Sequence, residues 1–195
     1  APTPGVAVSE GMLSCAGNSK TGSAVIRALS LAAALLSAAP ALAAEPRDVA
    51  DAAHGFSLKI PGGWSDLDAG LSTSSPDGGV RCTIAAQAVP QSAAMTQEQV
   101  NATMQAYTAD IWKARFFTGG VTGQIENSGI TRMEQYDAPW ARGRLNYPNG
   151  ATAKFGVIML SAPGKMASVT CTATPAAYDD NLAGITTVLN WLRPL

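Results

Sequence analysis

Residues 139–175 read PWARGRLNYPNGATAKFGVIMLSAPGKMASVTCTATP. Two turn signals divide this stretch. Asn149-Gly150 is a strong hairpin signal, and Pro163-Gly164 fits a type II turn with glycine at the position that needs positive φ. The runs 139–147, 152–162 and 165–174 between them read as consecutive antiparallel strands. Thr174-Pro175 then opens a helix, with proline at the first helical position and Asp179 and Asp180 near the positive end of its dipole. Tyr178, Leu182, Ile185, Leu189 and Leu192 make its apolar stripe.

The turns also set a register. A two-residue loop at Asn149-Gly150 places Arg144 opposite Phe155 and Arg142 opposite Val157. The Pro163-Gly164 loop places Val157 opposite Thr170 and Phe155 opposite Thr172. One face of the sheet then carries Trp140, Arg142, Arg144, Phe155, Val157, Met159, Ser168, Thr170 and Thr172. The other carries Leu145, Ile158, Leu160, Ala167, Val169 and Cys171 and reads as core.

Working back toward the N-terminus, a further strand is expected over 128–137. Before it, Thr96 with Gln99 three residues later is a capping box. It opens a helix whose stripe is Val100, Met104, Tyr107 and Ile111, with Trp112 at the edge and Gly119-Gly120 at the end. Val80 to Val89 alternates as a strand with Val80, Cys82, Ile84 and Ala86 inward. Phe56-Ser57-Leu58-Lys59-Ile60 is another, stopped by Pro61-Gly62-Gly63-Trp64. Glu45 to His54 reads as a linker or a first helical turn. The fold class is α+β: an antiparallel sheet of about six strands flanked by helices.

The segment Phe56 to Trp64 resembles the F-x-x-x-x-P-x-x-W opening of PsbP-like proteins. The later helix, the strand meander and the ending Leu189-Asn190-Trp191-Leu192 are similar to that group as well, so the resemblance spans roughly residues 54–193. It implies an α/β/α sandwich, as in extrinsic photosystem subunits, a nuclear Ran-binding factor and bacterial exported proteins. It also implies non-catalytic binding to a larger partner. A shared fold carries no residue roles across by itself.

Residues 1–43 are set apart from this domain. Lys20 and Arg27 precede the apolar run Ala28 to Leu36, Pro40 breaks it, and Ala41-Leu42-Ala43 offers the small residues of a cleavage site. This is the order of a secretory signal peptide, starting naturally at Met12 and cut after Ala43. Residues 44–195 then form a single exported domain, periplasmic or secreted. The alanine-rich, proline-broken run is a poor permanent anchor, so no stable membrane insertion is expected after cleavage.

Composition narrows the chemistry. The 195 residues carry a net charge of -1 with 14% charged side chains, which offers no basic footprint for nucleic acid. One histidine, His54, leaves little for histidine-based catalysis, and no cofactor motif is present. Asp66, Asp68 and Asp77 sit at positions one, three and twelve of a calcium loop. Leu71 at position six and the missing glutamate argue for a solvated turn instead. Ser72, Ser74 and Ser75 lack a nucleophile elbow and read as a loop.

Cys82 and Cys171 remain after leader removal, both on core-facing strand positions. In an oxidising compartment the pair points to a disulfide, against the competing reading of two buried thiols. The candidate contact face is Trp140, Arg142, Arg144, Phe155, Thr170 and Thr172, where arginine forks and hydroxyls lie beside an apolar floor. The expected function is a non-catalytic accessory module contacting another cell-envelope protein. The alternative is a small anionic ligand on the Arg142/Arg144 face, and a hydrolytic enzyme comes last.

Overall fold

A computed structural model describes residues 44–52, 55–67 and 71–195. The leader and its cleavage site, His54 and Asp68 lie outside the described residues. The framework is a six-stranded antiparallel sheet in the order β3-β4-β8-β7-β6-β5. Its strands are β3 (Ser72–Ser74), β4 (Val80–Ala88), β5 (Thr122–Met133), β6 (Tyr136–Asn146), β7 (Thr152–Ala162) and β8 (Lys165–Ala173). A small sheet of β1 (Arg47–Asp51), β2 (Phe56–Ile60) and β9 (Arg193–Pro194) accompanies it. The helices are α1 (Gln97–Met104), α2 (Ala109–Phe116), α3 (Pro175–Asp180) and α4 (Leu182–Asn190).

Both faces of the large sheet are covered. On one, Val80, Cys82, Ile84, Ile158, Leu160, Val169 and Cys171 pack with Phe56, Leu58 and Ile60 of β2 and with Tyr178, Ile185, Val188 and Leu192. On the other, Phe155, Val157, Met159, Ala141 and Leu145 pack beneath Trp112, with Met104, Tyr107 and Phe116 against them. Phe116 lies 4.3 Å from Phe155 between ring centres. A sheet with apolar side chains at alternate positions on both faces needs two covering layers, and the sequence supplies two pairs of helices for them.

Several expected elements differ in detail. Residues 47–51 pair with β2 as an edge strand, not as a linker or helical turn. The serine-rich loop contains β3, where Ser72 and Thr73 are buried against β4. The first meander strand begins at Thr122, and its turn falls at Glu134, whose φ is 57°. The capping box at Thr96 is present, with Gln99 N–H donating to Oγ1 and Gln99 Oε1 accepting from Thr96 N–H. The single helix expected after it is two. The chain turns extended at Thr108 (φ −115°, ψ 170°), which resets the phase of the stripe. Trp112 therefore becomes the buried centre and Ile111 faces outward, 41% exposed. The C-terminal helix also breaks, at Asn181, so Val188 takes an inward position and Leu182 an outward one.

Candidate functional site

The hairpin joining β6 and β7 decides where the arginines go. Its loop has three residues, not two: Tyr147 N–H donates to Ala151 O, and Gly150 N–H donates to Tyr147 O. Gly150 has φ 83°, the left-handed residue of a type I turn with a G1 bulge. Pro148 supplies the first central residue of that turn, and Asn149 Oδ1 accepts from Ala151 N–H. The extra residue shifts the pairing by one. Arg142 lies opposite Gly156, Arg144 opposite Lys154, and Trp140 opposite Ile158. The β7–β8 register is as expected, with Phe155 opposite Thr172 and Val157 opposite Thr170.

The expected six-residue face is consequently split. Trp140, Arg142 and Arg144 stand on the side of α3 and α4, whereas Phe155 is fully buried in the layer beneath α2. Thr170 and Thr172 are half-buried on that second side, next to Thr83 and Arg81 of β4. Leu145 likewise belongs to the α2 layer and not to the main core. Cys82 and Cys171 are directly opposite each other on β4 and β8 and form a disulfide with a Cα–Cα distance of 3.9 Å.

On their side of the sheet, Trp140 and Arg142 line a cavity of about 360 Å³ between β5–β7 and the α3–α4 pair. Thr131, Ala141, Gly156, Val157, Ile158, Tyr178, Leu182, Ile185, Thr186, Leu189 and Asn190 complete it. Two glycines border it, and one of them, Gly156, is required by a close approach. Gly129 lies opposite Trp140, whose indole comes within ordinary van der Waals contact, 3.4 Å, of where a Cβ would stand. Gly156 leaves room for the Tyr178 hydroxyl, which would lie 2.5 Å from a Cβ. Glycine inside a strand marks such close approach.

The charges around this cavity are unequal. A bulge between Ile125 and Asn127 leaves Glu126 outside the β5–β6 pairing, and its Oε1 accepts from Arg144 Nε at 2.6 Å. Lys154 Nζ is 2.6 Å from Asp179 Oδ1. The side chain of Arg142, one cross-strand step from the facing Arg144 and Lys154, makes no ion pair or hydrogen bond among the described residues. Burial pushes the Tyr178 phenol above its ordinary range, opposed by the charge of Arg142 and reinforced by Asp179 and Glu126. The phenol is thus a neutral donor beside an uncompensated guanidinium.

The other candidates have structural employment. Asp66 pairs with Arg47. Asp77 accepts from the Ser75 hydroxyl and Gly79 N–H, which together hold its carboxyl below the usual range. The Ser75 hydroxyl also accepts from Val80 N–H, closing the turn before β4. Tyr178 escaped the sequence reading as a site residue because it sits on an apolar helical stripe. The available signal was Gly156 in the middle of an otherwise continuous apolar strand.

No protein-family model matches the chain, and no curated protein matches it by sequence. Among solved structures it is similar to cyanobacterial PsbP from Synechocystis sp. PCC 6803, with a TM-score of 0.53 and 13% identity over 83% of this chain and 99% of that one. A Bacteroides thetaiotaomicron protein follows at TM-score 0.49 and 10% identity, over 77% of this chain and 49% of that one. A Pseudomonas aeruginosa protein of unknown function is similar at TM-score 0.40 and 16% identity, over 77% and 99%. The fold is therefore PsbP-like, an α+β sandwich about an antiparallel sheet. With its disulfide, it suits an oxidising extracellular or lumenal compartment.

Proposed function

We propose that this chain is an exported, non-catalytic binding module whose ligand sits in the cavity between Trp140, Arg142 and Tyr178. One observation carries the reading: a guanidinium without a partner among the described residues and a phenol hydroxyl both line a largely apolar cavity of about 360 Å³. Pockets of that size and lining, with few convergent polar groups, are the usual form of small-ligand sites. The order of charges, apolar run and small residues in 1–43 supports export, and the disulfide supports an oxidising destination such as the periplasm.

Contact with another cell-envelope protein is the second reading. It is favoured by Leu182, a rim residue of the same cavity that is 49% exposed. A partner's loop seated over the cavity would cover it. The experiment is a native mass of the protein isolated from its own envelope fraction, followed by a denatured mass. An adduct of a few hundred daltons that leaves on denaturation supports the ligand reading. An adduct of protein size supports the accessory reading. A bare chain at every ionic strength overturns both.

A further inference from the structure

We infer that the cavity's ligand is a monocarboxylate with an apolar body, bound with its carboxylate against Arg142 and the Tyr178 hydroxyl. The inference rests on the binding reading above and adds the ligand's chemistry to it.

The charge pattern selects a single negative charge. Arg144 is already engaged by Glu126 and Lys154 by Asp179, so among the described residues Arg142 alone brings uncompensated positive charge to the cavity. A dianion would leave one charge unmatched near two carboxylates whose fields already reach the Tyr178 hydroxyl. Guanidinium is suited to a planar carboxylate, which it binds through two parallel N–H donors. Tyr178 has no hydrogen-bond acceptor for its hydroxyl among the described residues, so it is available to donate to the same oxygen pair. The apolar part of the walls is Trp140, Ile158, Ile185 and Leu189, and Thr131, Thr186 and Asn190 add the remaining polar side chains of the lining. A ligand body packed on the four apolar residues gains by being apolar itself, since a polar group placed against them would lose its hydration. The cavity's volume accommodates an aliphatic chain of several carbons or one aromatic ring.

The test is titration calorimetry with thermal denaturation, using octanoate and 3-phenylpropionate as probes. Octan-1-ol serves as the uncharged counterpart and inorganic phosphate as the anion without a body. The carboxylates are expected to bind saturably and raise Tm, with octan-1-ol at least tenfold weaker and phosphate silent. Arg142→Gln, at an exposed strand position that leaves the core untouched, weakens the carboxylates at least tenfold. Tyr178→Phe weakens them several-fold and guards against a folding effect of the arginine change. Lys113→Gln, on α2 against the other face, changes nothing. Equal binding of octan-1-ol, binding of phosphate, or carboxylate affinity unchanged in Arg142→Gln would each overturn the ligand assignment. A native-mass adduct in a protein that ignores both carboxylates would overturn it too, while leaving the binding reading standing.

Discussion

Gly156 is the residue on which the cavity depends most directly. It sits opposite Arg142 on β7, and its missing side chain is the space the Tyr178 hydroxyl occupies. Gly156→Ala should therefore cost about 1–3 kcal/mol, the usual penalty for overpacking. Adding Tyr178→Phe should return most of that loss, because the clashing atom is the hydroxyl oxygen and the two sites are in contact. Denaturant midpoints of the two single variants and the double variant give the coupling; an additive double variant would show that the hydroxyl lies elsewhere. Trp112 is a second residue where local pattern and outcome part. Its indole is fully buried and its nitrogen has no hydrogen-bond partner among the described residues, so it serves as the apolar centre of the α2 layer. Its place in the sequence suggested only the edge of a stripe. The helix break at Thr108 moved it, and nothing in the spacing of apolar residues announces a break that preserves them all.

Among the elements, the β6–β7 hairpin shows how much hangs on one loop residue. Asn149-Gly150 was legible as a turn, and the turn is there. Pro148 belongs to the loop and not to β6, so Tyr147 rather than Pro148 stands opposite Ala151, and that one-residue difference in pairing exchanges the faces of β6 relative to the two-residue reading. The arginines thereby leave Phe155 and the threonines and join Tyr178. Deleting Pro148 should convert the loop to a two-residue Asn-Gly turn while Tyr147 stays opposite Ala151, so the strand register survives. The expected result is a folded protein with Tm within a few degrees of the parent and unchanged cavity binding. A large loss of stability would mean the bulge, not the pairing, holds the hairpin. The β7–β8 hairpin needed no such correction. Pro163 fixes φ for the first turn position and Gly164, at φ 79°, takes the second, so dipeptide and geometry agree. Cys82 and Cys171 each read as core-facing on their own strands, and β4–β8 pairing sets them side by side. Short strands such as β1 and β3 escaped notice because their sequences, Arg-Asp-Val-Ala-Asp and Ser-Thr-Ser, have little strand propensity and form by pairing along neighbours already in place.

At the level of the molecule, stability should depend on pH through a few identifiable groups. Asp137 is held below its ordinary pKa by the hydrogen bond from Arg132 and then by Gln105, and Asp77 by Ser75 and Gly79. A depressed carboxylate stabilises the fold above its unfolded value, and that contribution is lost as pH falls through the lower folded value, below about pH 4. Tyr178 is raised by burial, so its contribution is complete below about pH 10 and is lost as pH climbs toward its folded value. A plateau between these limits is expected, with Asp137→Asn softening the acid limb and Tyr178→Phe the alkaline one. Denaturant midpoints across pH would show it, and an alkaline limb identical in Tyr178→Phe would refute the second assignment.

The fold class, the two turn dipeptides and the inward placement of both cysteines followed from local chemistry: alternation, capping and turn preference act over a few residues and need no distant partner. The PsbP-like layering was implied by the resemblance of Phe56 to Trp64 and the later elements to that group. The cavity did not. Arg142, Gly156 and Tyr178 come from β6, β7 and α3, and their meeting depends on register, on a glycine yielding space and on a bulge that turns Glu126 toward Arg144. Those are relations between strands and layers. They arise only when the whole sheet packs, because side-chain direction in a strand reverses with every residue of slip.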